Sequence, residues 1–357
     1  MIPTTEPSTV GRVPARGARL RYRRVHLASL VAEVPSEELR TAQIEDQLAP
    51  LYRKLGFKPG WVEAVTGIGA RRMWADGQSS VDGAVAAASA ALHRAGVSPD
   101  EIGAVVSCAV FRPRLEPSIA CEVQGALGIG RHCMNHDVGN ACLGFLSGLV
   151  QVANMIELGQ IEAGLVVASE DARPVVRATI DALTRADATI HTFKDNLATL
   201  TLGSAASAAV LVSDRRARQA RPLHGGTTLS ATHHHDLCVG DAGGMITDSV
   251  RLLREGVALA NQTWAEVTDL LQWDPEQVTT FAMHQVGKAH HDAVCRQLRV
   301  LPERAPQIYP WLGNVGACGV PVTAALAADQ GVIQPGHRTA LMGIGSGINC
   351  MMLGVTW

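Results

Sequence analysis

Near-continuous apolar runs alternate along this chain with segments whose apolar residues recur every three to four positions. Runs of the first kind fit strands covered on both faces, and segments of the second kind fit helices laid against them. The pattern predicts a strand over 25–34, a helix over 38–55, a glycine-punctuated turn over 61–74 and an alanine-rich helix over 82–95 closed by Gly96. Strands follow over 102–110, 132–138, 161–169 and 204–212, with helices over 119–127 and from Cys142 onward. A mixed segment, 173–200, reads as a lid of helices. The second half repeats the rhythm: strand 223–232, amphipathic helix 247–271, strand 278–283, helix 313–327 and closing strands 339–344 and 348–355. Such repetition predicts a duplicated α/β architecture, with helices between and around two mostly parallel sheets. Residues 1–24 read as a solvated tail, 25–215 as one half carrying the lid, and 216–357 as the other.

Composition narrows the possible partners. Lys plus Arg number 31 against 33 Asp plus Glu, a net charge of -2, so a nucleic acid partner is not expected. The longest uncharged stretches, around 138–156 and 196–213, are broken by Gly, Asn, Gln and Ser, and no integral membrane segment is expected. With no apolar export signal near the start and eight cysteines without CxxC spacing, the chain reads as a cytoplasmic protein with reduced thiols. His233, His234 and His235 are consecutive and cannot easily converge on one ion, so no metal is expected.

Candidate chemistry sits at junctions between elements. Residues 137–150 read DVGNACLGFLSGLV, a strand passing through Gly139 and Asn140 into a helix with Cys142 on its first turn. A helix N-terminus carries unpaired N–H groups and partial positive charge, which favour a thiolate. His284, Asn314 and the GIGSG turn at 343–347 occupy other junctions. A thiolate that accepts an acyl group needs donors for the developing oxyanion, and a following condensation needs donors for a second, enolate-like oxygen. Backbone N–H groups of Cys142 and of the 343–347 turn suit the first role, and the side chains of His284 and Asn314 the second. Taken singly, His284 is an ordinary strand-end histidine, Asn314 a helix cap, and Glu116, before Pro117, a carboxylate complementing a helix dipole.

Together these residues form a familiar order. NACLGF around Cys142, HQ at His284 and Gln285, GNVGACGVP around Asn314 and TGIGARR at 66–72 resemble the motifs of ketoacyl-ACP synthase III, within the thiolase superfamily. The resemblance covers about residue 25 to 357 and implies the thiolase fold, a duplicated five-layered α-β-α-β-α architecture. Thiolases that remove an α-proton use a second cysteine in the final glycine-rich turn, whereas GIGSGIN has none. LEPS around Glu116 resembles the matching stretch of OleA-type thiolases, in which a glutamate reaches from one subunit into the partner's active site. LYRKLGF, CMNHDVGNACL, MHQVGKAH and LMGIGSGIN are similar to the same family.

By that resemblance Cys142 is the acyl acceptor, His284 and Asn314 are the activators and enolate donors, Ser346 and Gly345 add backbone donors, and Glu116 is the base. The implied reaction is a non-decarboxylative, head-to-head condensation of two fatty acyl-CoA molecules in a homodimer, with no cofactor. Its product would be a 2-alkyl-3-ketoacyl compound released as the acid, in olefin or β-lactone type biosynthesis. Two features depart from the synthase III pattern: HQAN is HQVG here, and the arginine expected before TG is Val65, which removes a contact for CoA. The alternatives are a decarboxylating synthase III-like enzyme, a relative that transfers an acyl group to an alcohol, or one subunit of a heterodimer with a paralogue.

Overall fold

The structure, a computed structural model, describes residues 18–218, 221–241 and 244–357. Two five-stranded sheets form its frame. The first runs in the order Val25–Glu33, Ala205–Ser213, Ala163–Glu170, Ala104–Ser107, Met134–Asp137. The second runs Ala18–Arg21, Leu223–Ser230, Asn349–Thr356, Arg338–Gly345, Val278–Met283.

Helices Gly144–Glu157 and Gly319–Asp329 lie between the sheets. Ser80–Ala95 and Ile119–Ala126 cover the outer face of the first sheet, and Ser249–Leu271, with Lys288–Leu298 against it, covers the second. This is the five-layered thiolase fold. Sequence explains which helices go inside. GVPVTAALAAD has no polar stripe and is apolar all round, as a helix walled by sheets on both sides must be. In the other inner helix, glycines let the backbone approach the sheet. A Cβ at Gly144 would lie 2.2 Å from the Cys108 carbonyl oxygen, and one at Gly148 would lie 2.4 Å from Cys108 Sγ.

Strand direction corrects the expectation of mostly parallel sheets. Ala104–Ser107 runs parallel to Met134–Asp137 and to Ala163–Glu170, and Val278–Met283 parallel to Arg338–Gly345; the remaining pairings are antiparallel. Between Gly345 and Asn349 only a short turn intervenes, which forces an antiparallel hairpin.

Other boundaries move too. The helix expected over 38–55 begins at Thr41, because Glu37–Arg40 pairs with Ala70–Met73 as a strand. It breaks at Leu48, where Pro50 starts the next helix, Ala49–Leu55. The turn expected over 61–74 contains the helix Trp61–Thr66 as well as that strand. Within the expected tail, residues 1–17 lie outside the described residues, while Ala18–Arg21 is an edge strand on Leu223–Ser230. The helix expected from 313 starts at Gly319, after a 3-10 helical turn. Segment 173–200 holds the helices Arg173–Leu183 and Ile190–Asn196. The hairpin Cys238–Asp241 with Gly244–Thr247 and the helix Lys288–Leu298 had no counterpart in the periodicity reading. Among the described residues no helix is long and apolar enough to cross a membrane.

Register places the ends of the parallel strands side by side: Ser107 lies opposite both Asp137 and Val167, and Met283 opposite Met342. The connections leaving those ends carry Glu116, Cys142, His284 and the 343–347 turn. Because the inner helix has no spare volume at Gly148, Gly148→Val should lower stability by about 1–3 kcal/mol through overpacking. A parent-like midpoint in urea unfolding would contradict that packing.

Candidate active site

Past Asp137 the backbone turns sharply. The Asp137 carboxylate accepts hydrogen bonds from Ile119 N–H (3.1 Å) and Ala120 N–H (3.0 Å), fixing the strand end against the helix that follows the Glu116 loop. Ala141 then takes a φ of 44°, a left-handed conformation that strains an alanine. Cys142 consequently sits in the 3-10 turn Ala141–Leu143, just ahead of the helix Gly144–Glu157 rather than on its first turn. Asn140 braces the turn: its Nδ2 donates to Ser147 Oγ at 2.9 Å, and its Oδ1 accepts from Asn349 Nδ2 at 3.2 Å. Across from it stands Gly345. A Cβ there would lie 3.3 Å from the Cys142 nitrogen, so glycine leaves that amide uncovered, while the Leu143 N–H donates to the Asn140 carbonyl at 2.9 Å.

His284 ends the strand Val278–Met283, its N–H donating to the Met342 carbonyl at 2.9 Å. The ring is buried with Nδ1 unpartnered. Gly319, the first residue of the buried helix, makes room for it, since a Cβ there would be 2.9 Å from His284 Nδ1. Gln285 anchors the next loop by accepting from Ile308 N–H (2.8 Å) and Tyr309 N–H (3.1 Å) and donating to the Pro306 carbonyl (2.8 Å). Asn314 is held by its backbone, donating to the Thr201 carbonyl and accepting from Gly203 N–H, each at 2.9 Å. Its Oδ1 accepts from Gly316 N–H at 3.1 Å, which turns the Nδ2 donor to the pocket.

Cys142, His284, Asn314, Gly345 and Ser346 line one cavity of about 240 Å³. Leu252, Leu253 and Met245 make part of its wall apolar, and Leu197 and Ala198 from the lid segment reach it as well. Val65 lines the cavity where an arginine was expected; among the described residues the basic side chain that lines it is Lys288, ion-paired to Asp292 at 2.6 Å. Among the described residues no carboxylate lines it. Glu116 is elsewhere, exposed on the loop over 111–118 beside Leu115, which is 93% exposed. His234, in the histidine triplet, faces Glu255 at 3.5 Å.

Burial reverses the expected charge state of Cys142. Desolvation, followed by the nearby charge of Glu170 and the Cys238 thiol, pushes the Cys142 thiol up to about 12 against the opposing pull of its own backbone N–H. Desolvation, with the neighbouring His290 adding to it, lowers His284 to about 3. The resting site is therefore a thiol beside a neutral imidazole. Sequence reasoning also missed Glu170, a carboxylate ending the otherwise apolar strand AGLVVASE; its place at a strand end was the available signal.

Comparison with known proteins gives a consistent pattern. A family model for the thiolase N-terminal domain matches residues 64–212, and one for the 3-oxoacyl-[acyl-carrier-protein] synthase III C-terminal domain matches 269–357. The chain is 42% identical to an acyl-CoA:acyl-CoA alkyltransferase of Shewanella oneidensis, over 95% of this chain and 100% of that one. Its fold is similar to that of cerulenin-bound Xanthomonas campestris OleA, with a TM-score of 0.92 and 37% identity over 96% of this chain and 100% of that one. A cysteine-to-serine variant of that OleA, with bound lauric acid and lauroyl-CoA, is similar at a TM-score of 0.91 and 37% identity, over 94% and 100%.

Since a raised thiol pKa leaves little thiolate at neutral pH, alkylation of Cys142 by iodoacetamide should climb about tenfold per unit from pH 7 to 10 with no plateau. Intact-protein mass spectrometry against Cys142→Ala reads it, and a plateau reached by pH 7 would mean a depressed pKa instead.

Proposed function

The chain belongs to the OleA-type acyl-CoA:acyl-CoA alkyltransferase family of the thiolase superfamily, and on that footing we propose how its residues divide the reaction. It is an acyltransferase that condenses two acyl-CoA molecules head to head. In the first half-reaction the Cys142 thiol gives its proton to neutral His284 as sulfur adds to the thioester carbonyl. N–H groups of Cys142, Gly345 and Ser346 receive the oxyanion. Collapse expels CoA, which recovers the proton from His284 and leaves S-acyl Cys142.

A second acyl-CoA then enters with its thioester oxygen against Asn314 Nδ2 and the N–H of His284. Glu116 of the partner subunit removes the α-proton, and the carbanion attacks the Cys142 thioester. The sulfur departs and regains a proton, leaving a 2-alkyl-3-ketoacyl-CoA whose hydrolysis gives the acid. Lys288 meets CoA phosphate at the mouth, the role Val65 cannot fill. Substrates are fatty acyl-CoAs, the acid feeds an olefin or β-lactone type route, and the eight unpaired thiols suit a cytoplasmic setting.

One observation carries the assignment of the base. The cavity gathers a cysteine, a histidine and an asparagine but, among the described residues, has no carboxylate of its own, while Glu116 stands exposed on a loop beside Met134–Asp137, the outermost strand of its sheet. An open sheet edge invites pairing with a twofold-related copy, and such a homodimer would bring each Glu116 loop toward the other chain. The decarboxylating alternative needs no base and leaves this arrangement without a role. Cys350, the cysteine nearest the final turn, is buried in the strand Asn349–Thr356.

Glu116→Gln should still release CoA in a burst from the first acyl-CoA while condensation falls about 100-fold or more. Cys142→Ser should abolish the burst. Parent-rate condensation by Glu116→Gln, read by mass spectrometry of products, would remove the base from this scheme.

A further inference from the structure

Glu170 is buried, yet no lysine or arginine is paired with it among the described residues. Three backbone N–H groups hold its carboxylate instead. Oε1 accepts from Val110 at 2.9 Å and from Ala317 at 3.0 Å, and Oε2 accepts from Phe111 at 2.9 Å. Its backbone carbonyl accepts the Trp74 indole N–H at 2.9 Å, which fixes the end of the strand. All the carboxylate's partners are donors. A proton on either oxygen would find no acceptor among them, so the geometry favours the ionised form against the burial that raises its carboxyl above the usual range.

The donors come from two loops far apart in sequence. Val110 and Phe111 open the loop that carries Glu116. Ala317 belongs to the 3-10 turn Gly316–Cys318, whose first N–H is bonded to the side chain of Asn314. Gly316, at φ 54°, is needed for this approach: a Cβ there would lie 2.9 Å from Glu170 Oε1. One carboxylate therefore touches the root of the Glu116 loop and the turn that orients Asn314.

We propose that Glu170 is a positioning residue that sets the Glu116 loop and the Asn314 turn in one register. The proposal rests on the division of labour given above. If Glu116 serves the partner's site and Asn314 the chain's own, Glu170 joins the two sites of a dimer through a single side chain. Its charge also faces Cys142 and is the second cause, after burial, of the raised thiol.

Two substitutions separate reach from charge. Glu170→Gln removes the charge and turns one acceptor into an NH2 group facing a donor. Glu170→Asp keeps the charge but withdraws it by one methylene. Both should slow condensation about tenfold or more relative to the CoA burst, and both should speed amide hydrogen exchange in 108–116 and 314–320. Only Glu170→Gln should make Cys142 alkylate severalfold faster at pH 8, a change that a merely structural role would not produce in one variant alone. If Glu170→Gln does not fold, Glu170→Asp carries the condensation and exchange measurements.

Parent-like condensation, or slowed condensation with parent-like exchange in both segments, would overturn the proposal. The exchange measurement does not depend on what Glu116 does. Should Glu116→Gln condense at the parent rate, the base assignment fails alone, and faster exchange with slower condensation in the Glu170 variants still supports the tie to the Asn314 turn.

Discussion

Two helices with sheets on both sides constrain the rest of the molecule. Gly144–Glu157 and Gly319–Asp329 must be largely apolar and closely packed because sheets wall them on both sides, and they meet water only towards their C-terminal ends, at Asn154 and Asp329. Each is preceded by a 3-10 turn, Ala141–Leu143 and Gly316–Cys318, and these turns follow Asn140 and Val315 at the same end of the sandwich. The proposed nucleophile, Cys142, and the proposed enolate donor, Asn314, therefore come from similar places in the two halves. His284 enters between them from a strand end, with Gly319 leaving space for its ring.

A dry location has an electrostatic consequence. Burial favours neutral forms, and both Cys142 and His284 rest neutral, so the proposed covalent chemistry begins with a proton transfer inside the site rather than with a preformed ion pair. A permanent carboxylate lining the same cavity would raise the thiol further. In the proposed dimer, placing Glu116 on an exposed loop keeps that charge in water until a second chain is present. Glu170, like Glu45, is a carboxylate the interior does hold; its three N–H donors offset part of its desolvation, and burial still raises its carboxyl above the usual range.

Much of this frame was legible in the pattern of residues. Val278–Met283 falls on the expected 278–283, and Ser80–Ala95 nearly on 82–95, because long apolar runs and capped alanine-rich periods speak for themselves. Glu37–Arg40 did not, since EELR has no strand-like alternation and owes its conformation to a partner at Ala70–Met73. Strand direction was equally hidden, being set by connections rather than by side chains. Cys142, His284 and Asn314 were found at junctions and by family resemblance, and the structure gathers them in one cavity. The charge state of Cys142 was misjudged because a helix dipole is visible in sequence and desolvation is not. Glu170 was overlooked because its partners, Val110, Phe111 and Ala317, become neighbours only in the folded chain.

The account depends on one active site being assembled from two copies, with Cys142, His284 and Asn314 from one and Glu116 from the other. Coexpression of separately tagged Cys142→Ala and Glu116→Gln subunits, with purification of the mixed dimer, addresses this directly. In that dimer the Glu116→Gln subunit keeps its cysteine and receives an intact Glu116 from its partner, so one site of the pair, about half of the parent condensation activity per dimer, should return. Activity in the mixed dimer no higher than in the two parent homodimers of the variants would show that Glu116 does not act across the interface.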